Sequence, residues 1–406
     1  MKTKNLFLFC LCLIFQSISA QKQEMSPYLS FLEKQKTSSV DYVIGLFEKY
    51  DIVILGERDH RDTTQYELIE KIMEDPRFIK KVGNVFTEVG ACNRTEWANR
   101  ILKRNYASER QFEDTLRTLY REIDSEVIWE KYNYWKYLKS IHRINKNLSS
   151  KKKITVYLTD RAYDWTQCYT PEQRKRDYQV YFWGEVRDSI MGSNFARYYN
   201  QILADKKQTR KKALVILNLP HAFRAFQKSN SEWLYPAAHY IFQSYPGRVA
   251  NVMINFWDPY KRGKERLISD GKWDAAFRSF GNPSVGFDLE GSPFGNERFN
   301  LFYSPLESLA FKDIIHGFVF YKPIEAWKMQ LGVPGIIDES YKKEYVRRCL
   351  LNHPEEALKY KDPDYLQEEI DYYNNVRTVD TYITSNTGEK ELSSKDIDKY
   401  INEWLE

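Results

Sequence analysis

One feature constrains this chain more than any other: short apolar runs, rich in β-branched residues on consecutive positions, each followed by a polar cluster. They occur at 51–55, 83–87, 153–159, 213–217, 249–256 and 314–320. Consecutive apolar positions, without polar alternation, fit strands covered on both faces. Helical stretches lie between them, at 63–73, 95–102, 127–144, 171–203 and 232–245. The first places Leu68, Ile69, Ile72 and Met73 on one face, and Thr63 and Thr64 suit its N-cap. The stretch 171–203 is long enough to expect a break near Gly184 or Gly192. Strands alternating with helices imply βα units. The expected class is α/β, with a mainly parallel central sheet flanked by helices.

The organisation follows from the spacing. Residues 90–150 supply several helices between two strands and read as a helical insertion. The stretch 258–311 is rich in Gly, Pro, Asn and Ser and reads as irregular loops. After Pro323 the chain turns charged and helical, so 326–406 is expected to be a C-terminal helical appendage to an α/β domain at 21–325.

The first twenty residues read differently. Lys2 and Lys4 precede an apolar run from Leu6 to Phe15, and small residues close the segment at Ser19 and Ala20. This is the layout of a cleaved secretory signal. The run is about half of the roughly 20 residues that span a bilayer. Cys10 and Cys12 follow Phe9 and Leu11, where a lipoprotein has a small residue. The expectation is an exported chain, periplasmic or extracellular after cleavage near Ala20. Cys92, Cys168 and Cys349 remain, enough for at most one disulfide, and no C-x-x-C pair favours a thiolate zinc site.

Composition narrows the partners. There are 61 basic and 56 acidic residues, a net charge of +5, which argues against a nucleic-acid binder. The mean hydropathy of -0.63 argues against an integral membrane protein. Basic runs at 151–153, 174–176 and 206–212 flank helix ends or strand starts and read as solvated loops. No P-loop, Gly-x-Gly-x-x-Gly or Gly-x-Ser-x-Gly is present. The partner expected is a small molecule.

Ligands of open α/β sheets bind beyond the carboxyl ends of the strands, so the residues there carry the chemistry. Glu57, Arg58, Asp59 and His60 follow the first run. Glu88 follows the second, Asp160 the third, and Asn218 and His221 the fourth. In a parallel sheet these ends converge on one crevice. A histidine takes a proton from water, and a neighbouring carboxylate fixes its tautomer and stabilises the imidazolium. The same Glu57, His60, Glu88 and His221 are also ordinary ligands for a divalent metal. Both chemistries stay open at this point. No other cofactor is expected.

The segment from Ile52 to His60, with its Leu55-Gly56-Glu57 and a His three residues later, resembles the erythromycin esterase family. Phe86-Thr87-Glu88 is similar to the family's second strand. Arg187-Asp188, with Met191 and Asn194 following, is similar to its Arg-Asp-x-x-Met-Ala-x-Asn helix, and 315–320 is similar to its closing strand. The first motif is shared by a wider superfamily that includes the ChaN, TraB and Tiki proteins. The resemblance implies a hydrolase of esters or lactones, with His60 as general base, Glu57 and Glu88 as its carboxylates, and Arg187 holding a carboxylate or oxyanion. His221 matches a later strand-end histidine.

The chain also departs from that pattern. Arg58, Asp59 and Arg61 stand where the family has small residues and a Gly, and a single His221 stands where it commonly has two histidines. The alternatives are a ChaN-type binder of haem, metal or a small ligand, and a Tiki-like metal-dependent peptidase. Arg58, Asp160 and Trp165 are the residues expected to meet the substrate. Trp165 leads an aromatic group that also includes Tyr163, Tyr169, Tyr181, Phe182 and Trp183, which reads first as core and second as a ligand wall.

Overall fold

A computed structural model describes residues 23–182, 186–224, 226–229, 232–302, 309–380 and 392–406. The expected signal segment, residues 1–20, lies outside the described residues, as do Trp183 and the side chains of Tyr181 and Phe182.

The six apolar runs supply six strands of one seven-stranded sheet. In chain order its strands are β1 (Ile52–Glu57), β2 (Asn84–Ala91), β3 (Thr155–Asp160), β4 (Ala213–Asn218), β5 (Val249–Ile254), β6 (Val285–Asp288) and β7 (Gly317–Phe320). The spatial order is β3-β2-β4-β1-β5-β7-β6. Every neighbouring pair is parallel except β6 with β7. The fold is α/β, as the sequence predicts.

The side-chain period of two divides each strand between two layers. Val53, Leu55 and Val85 face a core shared with Leu68, Ile69 and Ile72 of helix α1 (Thr63–Glu74). The helices between β2 and β3 complete that layer: α2 (Thr95–Lys103), α3 (Glu109–Tyr120) and α4 (Tyr132–Lys146). Ile52, Ile54 and Phe86 face the other layer. It is built from two helices, one carrying Met191, Phe195 and Tyr199 and the other Ala238 and Ile241. These follow α5 (Pro171–Phe182) as α6 (Arg187–Ala204) and α7 (Ala237–Ser244). The long stretch thus divides between Phe182 and Arg187. Gly192 lies inside α6 instead, where a Cβ would meet the Cβ of Tyr240 at 2.5 Å. Its lack of a side chain lets α6 and α7 pack closely.

Two expectations are corrected. The stretch 258–311 contains the helix α8 (Lys272–Arg278) and the edge strand β6. β6 escapes a hydrophobic-run reading because it is four residues long and interrupted by Gly286, which accommodates the Tyr42 ring. An aromatic core forms around it, with Phe277 stacked on Phe320 at 4.1 Å. The residues after 325 are no appendage either. Strand β8 (Lys328–Leu331) pairs antiparallel with β9 (Arg377–Asp380), and helix α9 (Lys342–Asn352) follows β8. Val333, Ile336, Ile337 and Tyr345 are buried in the same core as α1. Among the described residues no helix is long and apolar enough to cross a membrane. Cys92, Cys168 and Cys349 are all free thiols.

Candidate functional site

The carboxyl ends of β1, β2, β3 and β4 lie side by side, and Glu57 is in register with Asn218. They open into a cavity of about 360 Å³. Each functional side chain arrives there for a local reason.

His60 sits in the turn between β1 and α1. Asp62 caps α1 by accepting the Thr64 N–H at 2.7 Å. Gln65 clamps the turn from both sides: its Oε1 accepts the Arg58 N–H, and its Nε2 donates to the Asp59 carbonyl. The Asn133 amide donates to the His60 carbonyl at 2.6 Å. In this fixed turn His60 Nδ1 lies 2.8 Å from Glu57 Oε2. The edge of the imidazole meets Trp129, with ring centroids 5.5 Å apart.

Glu88 stands where β2 leaves regular pairing with β3, between Thr87 and Ala91. A bulge of this kind re-aims a side chain. Gly90 allows it, with φ at +111°. The carboxylate turns toward β4, and its Oε2 accepts the Asn218 N–H at 2.7 Å. Its Oε1 lies 3.6 Å from His60 Nε2 and 3.5 Å from His221 Nε2.

His221 lies in the short turn after β4, Leu219–Ala222. Its Nδ1 is 2.7 Å from Asp188 Oδ1, which also accepts the Ala237 N–H at 2.7 Å. Asp188 thus joins the first turn of α6 to the first turn of α7, where negative charge is favoured. Arg187 precedes it. Its guanidinium donates to Asp160 at 2.6 Å and to Glu88 Oε1 at 3.1 Å.

The result is two imidazoles, each backed by its own carboxylate, facing one oxygen of a third. Burial alone would raise Glu88, but His221, His60 and Arg187 hold its carboxyl well below the usual range. Burial likewise opposes charge on His60, yet Glu57 and Glu88 push it up to about 10. His221 is raised too: Asp188 and Glu88 outweigh burial, while Arg187 works against them. At neutral pH His60 is therefore an imidazolium rather than a base poised near neutrality.

Of the expected site residues, Glu57, His60, Glu88, Asp160, Arg187 and His221 meet in this cluster. Arg58 and Trp165 turn elsewhere. Arg58 is buried, with its guanidinium 4.0 Å over the Trp327 ring, 2.9 Å from Asp62, and donating to Thr64 Oγ1. Only a part of it reaches the cavity wall. Trp165 is buried behind the wall, between the guanidinium groups of Arg174 and Arg348 at 4.7 and 4.6 Å, and its indole N–H donates to the Asp124 carbonyl. It braces the loop that carries Asp124 instead of meeting a ligand. Asp188 is the partner that strand-end reading missed. The only signal for it was its place next to Arg187 in the helix motif.

The expected metal donors do not fit a dication. The space they share is taken by Arg187, whose Nη2 is 3.1 Å from Glu88 Oε1 and whose Nη1 is 3.5 Å from His221 Nε2. A metal there would sit against a fixed cation. Glu57 Oε2, moreover, is engaged by His60. Among the described residues no group of three or more His, Cys, Asp or Glu side chains is arranged to hold a metal ion.

No family model matches the chain, and no curated protein does. Among solved structures it is similar to a succinoglycan biosynthesis protein, at 10% identity and a TM-score of 0.46, over 75% of this chain and 97% of that one. It is similar to a mutant of the erythromycin esterase EreC in its open conformation, at 11% identity and 0.44, over 70% and 96%. A Bacillus cereus protein matches at 12% and 0.44, over 74% and 97%. At these scores the likenesses assign no activity.

Proposed function

We propose that this crevice hydrolyses an ester or lactone of a small molecule, with the two histidines dividing the proton transfers. The observation that carries the reading is the shared focus at Glu88 Oε1, 3.6 Å from His60 Nε2 and 3.5 Å from His221 Nε2. Both histidines are raised, but Arg187 opposes the rise at His221 alone, and paired titratable groups in unequal surroundings mark an acid and a base. His60 is bound by two carboxylates and keeps its proton, so it serves as acid to the departing alkoxide or as donor to the oxyanion. His221 faces Arg187, which weakens its hold on a proton, so it serves as base toward a water placed by Glu88. Asp188 and Glu57 hold the two rings in orientation through Nδ1. The motif resemblance to the erythromycin esterases supports the same reaction class.

The test is a pH–rate profile on an ester and lactone panel. Activity rises with pH above 6.5 as His221 loses its proton. It falls again near pH 10 as His60 loses its own. Alanine at either histidine lowers kcat by about 10²-fold or more with little change in Tm. Exhaustive chelation leaves the rate unchanged. Full turnover in His60→Ala, or loss of turnover on chelation, defeats the proposal.

A further inference from the structure

The cavity holding the two histidines has a second half that the proton transfers do not use. Its aromatic side is a ladder. Phe256 is buried at the base, Phe302 lies 5.4 Å from it, and Tyr260 lies 6.0 Å beyond Phe302 with 59% of its surface exposed. All three line the cavity. Phe302 holds a left-handed backbone at φ +60°, which a bulky side chain rarely adopts. Asp258, fully buried, enforces this: one carboxylate oxygen accepts the Phe302 N–H and the other accepts the Tyr260 N–H at 2.9 Å. One carboxylate therefore sets both outer rings of the ladder. Strain of this kind persists where the surroundings over-determine it, and it gathers at ligand sites.

The polar side is Trp129, Asp124 and Glu126, which line the same cavity. Trp129 is more than nine-tenths buried, and its indole N–H has no acceptor among the described residues. Asp124 is equally buried and is held in place by the Glu126 N–H at 2.7 Å. No ion pair to Asp124 or Glu126 forms among the described residues. The cations nearby are engaged elsewhere: Arg61 with Asp59 at 2.7 Å, Lys131 with Glu130 at 2.8 Å, Arg187 with Asp160 at 2.6 Å. The wall therefore offers donors and acceptors whose cations are already matched, beside flat apolar faces.

From this arrangement we infer that the second half of the crevice binds a neutral, hydroxyl-rich ring, so that the ester hydrolysed is one carried on a sugar-like moiety. The inference rests on the hydrolase reading for its reaction but not for its binding. A pyranose has an apolar C–H face for Phe302 and Tyr260. Its rim of hydroxyls accepts from the Trp129 N–H and donates to Asp124 and Glu126. Burial, and then Glu126, raise the Asp124 carboxyl to about 7, so near neutrality it both donates and accepts, as a hydroxyl partner requires. An anionic ligand would need an unmatched cation on the wall, and an amine would need these raised carboxyls to give up their protons.

The experiment compares methyl 6-acetamido-6-deoxyglucoside, whose amide resists hydrolysis, with N-(cyclohexylmethyl)acetamide, which keeps the six-membered ring and the amide arm without the hydroxyls. Binding is read by ligand-observed NMR, and turnover is read on the corresponding acetate esters. The sugar amide binds at least tenfold more tightly. Trp129→Phe and Phe302→Gly each abolish that preference. Glycine suits the left-handed backbone, which offsets the lost ring contacts, so Phe302→Gly keeps a single sharp melt and its loss of binding is not a loss of fold. Equal binding of the two amides overturns the inference. So does tighter binding of an aminocyclohexyl analogue, which would assign the carboxyls to an amine. Sugar binding without turnover of any ester leaves this inference standing and defeats the hydrolase reading. Turnover of both esters at equal rates does the reverse.

Discussion

His221 is oriented by a residue 33 positions before it in the chain, and in the proposed mechanism this pairing holds the ring that serves as base. Replacing Asp188 with Asn keeps the shape but gives Nδ1 a neutral partner that can also donate. The expected result is a kcat lower by about 10²-fold, with the rising limb of the pH profile moved to lower pH and Tm nearly unchanged. His60 adds a stability signature. Its folded value is about 10 against 6.5 in a free chain, so its contribution is full below pH 6.5 and is lost as pH climbs through 10. His60→Gln should flatten the fall of Tm over that window, as thermal melts from pH 6 to 10 will show. The strand-end residues Glu57, His60 and Glu88 were legible in the sequence because a strand carries its last side chains to a known place. Asp188, on a helix far along the chain, had no such marker, and Arg58 and Trp165 misled because exposure cannot be read from residue type.

The elements that carry these residues depend on small side chains at set positions. Gly56 is the clearest case. A Cβ there would approach Leu219 Cδ1 at 2.6 Å and the Val252 carbonyl at 3.3 Å, so β1 could no longer lie flat between β4 and β5. Gly56→Ala is expected to cost about 1–3 kcal/mol in urea melts and to lower kcat by displacing Glu57. The long strands β1 and β4 announced themselves through runs such as Ile52–Leu55, whose burial is complete on both faces. β6 did not: with Gly286 in it and an exposed Asp288 at its end, pairing to β7 rather than its own hydrophobicity makes it a strand. The bulge that aims Glu88 was equally silent, since it is a property of register between two strands.

At the scale of the molecule, residues after 325 pack into the same core as the sheet. Trp327 lies under Arg58, and the Gln330 N–H donates to the Arg61 carbonyl at 3.0 Å. Arg348 reaches Trp165 and Glu122, behind the loop that carries Asp124. A chain cut after residue 325 should therefore fail to give a single sharp unfolding transition by circular dichroism, and it should bind a dye for exposed apolar surface. Charge and helix propensity made this segment look peripheral, because its buried residues are spread among charged ones and form no run. The arrangement also sets a timetable. Chains emerge from the ribosome in order, and here the brace behind the crevice follows every residue of the histidine cluster. The local clamps at Asp62, Gln65 and Asn133 are synthesised with the histidine cluster, whereas the support behind its wall is added only later, so the crevice gains its shape in two stages.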